Sequence, residues 1–346
     1  MPAFAIGRQD EVPENPVERK AVPDPAIAPS LGPDEARPAS GPNWIDSAER
    51  VLEARFGSVR DIEPFVTWGR TVVVAASAGA ERRPVVLKAT AERDVLVEAV
   101  TLRMVAEAGV PVPRLFGVGE QPELPGGRWI AMERAHGVRL ADVPERDLDV
   151  ALQSLAVGLS RLHGIAPAGF GWLNRSGSGR FGSWSTWLRG VLARDLQTLL
   201  ARRAIRPETA DALGACFAGN TAGLDRRPAR LVHGDLGDTE VFVDEDHQVT
   251  AVVDWADAVV GDPLYDFARF VAGGPAADPR PERMRPVVER AYALPQHFAG
   301  AGRFYSLYQA HNAIRNAAWS VVHAPEWADD LVAFATAEAS RVGTPG

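Results

Sequence analysis

The chain has 346 residues, 46% of them hydrophobic and 24% charged, with a formal net charge of -8. That length permits two domains or one bilobed unit with a large core, and the composition is that of an ordinary soluble globular protein. An acidic balance with no dense Lys/Arg block excludes nucleic acid as the expected partner.

The opening residues, MPAFAIGRQDE, lack the basic stretch and apolar run of a secretory leader. No apolar run approaches the roughly 18 residues of a membrane span, so no membrane is expected as a partner. The single cysteine, Cys216, cannot close an internal disulfide, which points to a reducing cytoplasm. Residues 1–43 contain nine prolines with charges between them and little periodic apolarity. Such a segment buries too little surface to offset its ordering entropy and reads as a disordered arm.

The folded part starts near Trp44. Trp44, Ile45, Ala48, Val51, Leu52 and Phe56 fall at helical spacing, and Gly57 supplies a stop. Strand-like runs follow at 65–68, 71–75 and 84–89, the first two joined by the tip Gly69-Arg70. A helical pattern over 92–108 ends at Gly109, Pro111 and Pro113, and two further strands are expected at 114–118 and 128–132. Five strands with one inserted helix predict a compact first lobe over 44–134.

From Gly137 the pattern turns mainly helical. Leu148, Ala151, Leu152, Leu155, Leu159 and Leu162 share one helical face, and a Gly/Ser/Trp-rich stretch over 169–187 reads as an irregular insertion. Helices are expected at about 187–202, 207–219, 264–272, 282–293, 302–321 and 325–341. The architecture predicted is a two-lobed α+β fold, with a small five-stranded antiparallel lobe and a larger, mainly helical lobe over 135–343.

Inside the second lobe lies LVHGDLGDTEVFVDEDHQVTAVVDWADAVVGDPLYDFARF, residues 231–270. Two apolar runs, 241–243 and 249–253, alternate with acidic turns as in a hairpin, Asp235 preceding the first and Asp254 ending the second. Carboxylates at the ends of short strands can hold a divalent metal and orient a hydroxyl. Asp235 alone reads first as a turn cap, and only the pairing with Asp254 makes the chemical reading the favoured one. Asp262 with Pro263 fits a helix N-cap and first helical position; Asp266, one turn on, is placed to hydrogen-bond back to the loop. In the first lobe, Lys88 lies in a strand, and Glu98 borders the apolar face of the next helix within reach of it. An exposed lysine and a solvated glutamate are the alternative.

HGDL, then VVDW, then GDPLYDFA closely resembles the aminoglycoside phosphotransferase family, whose relatives include choline kinases, macrolide kinases and protein kinases. The likeness covers about residues 60–340 and is strongest over 231–270. It implies a protein-kinase-like fold and transfer of the γ-phosphate of ATP or GTP, with magnesium, to a hydroxyl of a small molecule. By position, Asp235 would be the catalytic base and Asp254 a metal ligand, with Lys88 on the α/β-phosphates and Glu98 as its partner. Gly69, Arg70 and Thr71 would cover the phosphates, and the segment over 131–134, with Met132 and Arg134, would be the hinge against the base. The kinase-type loop has Asn five residues after the catalytic Asp; here Glu240 stands there, read either as a metal ligand with one more charge or as a solvent-facing side chain.

Acceptor contacts are expected from Asp257, an acidic wall for a cationic or hydroxylated substrate. Tyr308, His311, Asn312, Arg315 and Trp319 lie along one predicted helix and are candidates to line the pocket, with core the favoured reading of Tyr308 and Trp319. An aminoglycoside-, macrolide- or nucleoside-type antibiotic is the favoured acceptor class. A small-metabolite kinase for choline, a sugar or an amino-alcohol is the rival in class, and a pseudokinase binding module, motivated by Glu240, is the rival outside it.

Overall fold

The structure, a computed structural model, describes residues 44–66, 70–271 and 302–342. The expected arm over 1–43, the helix over 282–293 and Gly69 lie outside the described residues. Helix α1 (Trp44–Phe56) precedes a five-stranded antiparallel sheet of β1 (Val59–Val66), β2 (Thr71–Ala78), β3 (Arg83–Thr90), β4 (Leu115–Glu120) and β5 (Arg128–Glu133). The strand order is β1-β2-β3-β5-β4, and α2 (Val95–Glu107) is inserted between β3 and β4. Strand alternation gives this sheet two buried faces. Val85, Leu87 and Ala89 pack with Ala48 and Leu52 of α1, while Ile130, Met132 and Val86 pack toward Val95, Ala99 and Leu102 of α2.

Strand β1 starts six residues before the run expected at 65–68. It is an edge strand, interrupted by register shifts and by Asp61 at φ 53, and it carries Arg60, Glu63 and Pro64. Edge strands tolerate charge, proline and bulges because one side faces no partner, and those same features erase the apolar run that would announce them.

The second lobe is helical around two small sheets. Strand β6 (Val138–Arg139) leads to α3 (Leu148–Leu162), whose apolar stripe packs on the hairpin β10 (Val241–Val243) and β11 (Val249–Val252). The stretch over 169–187 is not irregular. It forms β7 (Phe170–Leu173), β8 (Gly179–Phe181) and the start of α4 (Trp184–Ala201), with Ser183 capping α4 through Thr186 N. Glycine hides these strands: a Cβ on Gly179 would lie 2.4 Å from Phe170 N, so the two strands approach only with glycine there. Strand β7 pairs β12 (Val259–Gly261), which pairs β9 (Arg230–Val232). Helices α5 (Pro207–Gly219), α6 (Thr221–Leu224), α7 (Leu264–Val271), α8 (Gly302–His323) and α9 (Ala328–Val342) complete the lobe. Their core is aromatic: Trp184, Trp187, Phe217, Tyr265 and Tyr308 are almost wholly enclosed, and Trp184 stacks on Trp187 at 4.8 Å.

Candidate active site

The hairpin pairs Val241 with Val252, and the chain leaves β11 directly into Asp254. Asp254 sits in the left-handed region at φ 62, which non-glycine residues rarely occupy and which clusters at functional positions. Its side chain is 57% exposed, so the carboxylate is open to a ligand. From β3, Lys88 Nζ reaches across the lobes to Asp254 Oδ1 at 2.8 Å and holds Glu98 of α2 at 3.0–3.1 Å. Glu98 is 3% exposed, and Trp255 N–H also donates to it. Burial alone would lower the Lys88 ammonium, but Asp254 and Glu98 outweigh it and keep the group charged above its ordinary range. Lys88 in turn holds Asp254 below the usual carboxylate range. Burial pushes Glu98 up, with Lys88 opposing. The arrangement fixes one cation at the lobe junction and stiffens it from behind.

Asp235 stands on the loop after β9. That loop is held by its backbone: Asp266 of α7, fully buried, accepts from His233 N and Gly234 N at 2.8 Å each and lies 3.1 Å from His163 Nε2. The expected back-bond from Asp266 is therefore present. His233 accepts at Nδ1 from Asp235 N (3.3 Å) and donates from Nε2 to Val253 O (2.8 Å), which ties the loop to the approach to Asp254. Gly234 has φ +80, and a Cβ there would lie 2.2 Å from Asp257 O. Only glycine fits this turn. Asp235 keeps 35% exposure, and Arg269 of α7 grips its Oδ1 through Nε (2.8 Å) and Nη2 (2.7 Å). Asp262 caps α7 as expected, accepting from Leu264 N at 3.1 Å, and also pairs with Arg227.

Glu240 sits just before β10 and takes a hydrogen bond from Thr239 Oγ1 at 2.7 Å. Burial, followed by the charge of Asp235, pushes its carboxyl up to about 8, with Asp254 adding to the rise. Glu240 is half-buried, and its carboxyl feels the charge of both other acids. Among the described residues no three His, Cys, Asp or Glu side chains form a ready metal cage. Magnesium is held elsewhere by one or two carboxylates together with phosphate oxygens and water, and a hard-oxygen donor set of Asp254 and, with its proton displaced by the cation, Glu240 would fit that demand.

On the other flank, Asp257 is not a free acidic wall. Arg93 donates to its Oδ1 at 2.9 and 3.2 Å, and Arg315 Nη2 lies 3.6 Å from Oδ2. Burial opposes ionisation there, but Arg315 and Arg93 hold the carboxyl down at about 2. Arg315 also donates to Gly234 O and Tyr265 Oη, each at 3.1 Å. The pocket roles considered for Tyr308 and His311 are corrected: both have 0% exposure, which matches the core reading of Tyr308. Tyr308 Oη is spent on Asp262 (3.0 Å) and Trp184 Nε1 (2.9 Å), and His311 lies between Leu188 O and Tyr265 Oη at 3.0 Å each. Trp319, read as core, is instead 36% exposed.

Of the remaining expected positions, Arg70 is exposed and Thr71 Oγ1 meets Thr90 Oγ1 at 2.7 Å. Met132 is buried opposite Val86. The Arg134 guanidinium pairs with Glu63 at 3.1 Å and lies 4.8 Å over the Phe65 ring, while Arg134 N donates to Pro84 O. Sequence reasoning missed Arg93, His163 and Arg269. Arg269 carried a signal, since it falls at i+3 from Asp266 and so shares its helix face. Arg93 and His163 carried none.

A sheet lobe and a helical lobe joined across a Lys–Glu–Asp contact, with an Asp-bearing loop beside it, define the kinase-like class of phosphotransferase folds. A model of the phosphotransferase enzyme family (APH) matches residues 70–303, and the chain belongs to that family. Hygromycin-B 4-O-kinase of Escherichia coli is 27% identical over 231 residues, and the chain spans 65% of the length of that curated relative, matched by 65% of its own. A thermostable mutant of the aminoglycoside phosphotransferase APH(4)-Ia, solved with ADP and hygromycin B, superposes with a TM-score of 0.68 at 23% identity, covering 87% of this chain and 100% of that one. A putative fructosamine-3-kinase from Thermobifida fusca gives 0.61 at 18% identity, covering 86% and 99%.

Proposed function

We propose that this protein transfers the γ-phosphoryl group of ATP or GTP to a hydroxyl of a small molecule, an aminoglycoside-type antibiotic being the favoured acceptor. The observation that carries the reading is the cross-lobe contact of Lys88 with Glu98 and Asp254, set beside Asp235 on a loop whose backbone Asp266 pins. The hygromycin-B kinase relative supports the acceptor class.

Lys88 meets the nucleotide phosphates, and Glu98 holds it in place. Arg70 and Thr71 cover the phosphates, and the strand end with Met132 and Arg134 flanks the base. Asp254 and Glu240 hold magnesium, which supplies charge neutralisation on the phosphates when bound. Asp235 accepts the proton of the acceptor hydroxyl as its oxygen bonds to the γ-phosphorus and the bond to the nucleoside diphosphate oxygen breaks. Arg269, on one carboxylate oxygen, fixes the rotamer of Asp235. His233, bonded at both nitrogens, locks the loop.

We place the protein in the cytoplasm. The single cysteine, Cys216, is free and half-buried, and no helix among the described residues is long and apolar enough to cross a membrane.

Purified protein given γ-labelled ATP or GTP with magnesium and a panel of acceptors tests the reading. Hygromycin B and other aminoglycosides are expected to take label on a hydroxyl. Label on choline or simple sugars alone would move the assignment to a metabolite kinase, and bound nucleotide with no transfer to any acceptor would make it a binding module.

A further inference from the structure

The two ends of α2 are secured by different means. At its C-terminal end, Gly109 O accepts from Arg161 Nη1 (2.7 Å) and Pro111 O from Val252 N (2.9 Å), and Leu102 and Val105 share a core with Leu152 and Leu155 of α3. At its N-terminal end Val95 and Ala99 are buried, and the residues just before the helix add ionic, partly exposed ties. Asp94, the N-cap, pairs with Arg175 at 2.7 Å, and Arg93, 40% exposed, pairs with Asp257 at 2.9 Å.

Asp257 is the place where that end meets the second lobe. Its Oδ1 takes Arg93, its Oδ2 faces Arg315, and Arg315 holds the carbonyl of Gly234, the residue before Asp235. Its backbone presses on the same residue, since a Cβ on Gly234 would lie 2.2 Å from Asp257 O. Contacts thus run unbroken from the entrance of α2 to the loop of Asp235.

We propose that Asp257 is a bridge between the lobes and not an acceptor contact, and that Arg93 is a positioning residue: by docking α2 onto Asp257 it sets, through Arg315, the loop that carries Asp235. The proposal rests on the reading of Asp235 as the base. Replacing Arg93 withdraws a guanidinium from Asp257 without touching Asp235, Lys88 or Glu98. A substrate-binding Asp257 would behave in the opposite way, because removing Arg93 would free its carboxylate for a cationic acceptor and improve binding.

The test uses the full chain with Arg93→Ala and Arg93→Lys. Arg93→Ala is expected to lower kcat about tenfold with the acceptor KM within about twofold, and Arg93→Lys to recover part of the loss. Hydrogen–deuterium exchange is expected to quicken both in the first turn of α2 and at 233–236, across the lobe junction. Faster exchange confined to α2, or a change in acceptor KM at constant kcat, overturns the bridge. The exchange measurement needs no turnover, so it decides the bridge even if no acceptor is phosphorylated. Loss of the bridge with transfer intact leaves the proposed function standing.

Discussion

Lys88, Glu98 and Asp254 meet through side chains that reach out from one strand, one helix and one strand end, whereas Asp235 stands on a loop held mainly by its backbone. Asp266 takes two of that loop's N–H groups, and Arg315, 81 residues along the chain, takes its carbonyl. The first region is a charge cluster and depends on which acids and bases are present. The second is a shaped turn and depends on who satisfies its peptide groups. Substitutions in the first should therefore act mostly on ligand affinity and turnover, and in the second on stability and turnover together.

Asp266→Ala is the severest way to break that contrast. It strands two buried N–H groups and removes the partner of His163, and should destabilise by about 3–5 kcal/mol, read as a lower denaturation midpoint with an unchanged m-value. Next comes Gly234→Ala. The added Cβ meets Asp257 O and the turn demands a left-handed backbone, so about 2–4 kcal/mol and most of the turnover should be lost. On the other side of the contrast, Glu98→Gln should cost about 1–2 kcal/mol and weaken nucleotide binding, because Lys88 keeps Asp254 as a partner. A larger stability loss here than for Asp266→Ala would erase the distinction.

The smallest effect is one of pH. Burial holds His311 neutral, its pKa lowered to about 3. A histidine depressed on folding gives stability that is present above its unfolded pKa and is lost as pH falls. Between pH 7 and 5.5 the protein should lose about 1 kcal/mol on this account, and His311→Gln should reduce that loss in thermal melts at the two pH values.

Periodicity made much of the fold legible. The stripe of α3, the alternation of β2 and β3 and the valine runs of the hairpin each follow from one-sided burial. What escaped lacked one-sided burial. Strand β1 is an edge, β7 and β8 are built around glycines, and α8 is enclosed so broadly that Tyr308, His311 and Arg315 could not be sorted into pocket and core by spacing. For the site, acids beside strands announced themselves. Of their guanidinium partners, Arg269 was marked only by sharing a helix face with Asp266, and Arg93 not at all, because its approach to Asp257 is a tertiary fact. Asp257 shows the consequence: a lone acid in sequence is a pocket wall, and the same acid between Arg93 and Arg315 is a joint.

The most direct test of the central claim is phosphate transfer by Asp235→Asn. Wild-type protein with magnesium, γ-labelled nucleotide and hygromycin B is expected to yield an O-phosphorylated product. Asp235→Asn should lower kcat by about a thousandfold with nucleotide affinity within about threefold and the melting temperature within a few degrees. Transfer by Asp235→Asn at a rate near that of wild type would contradict the account.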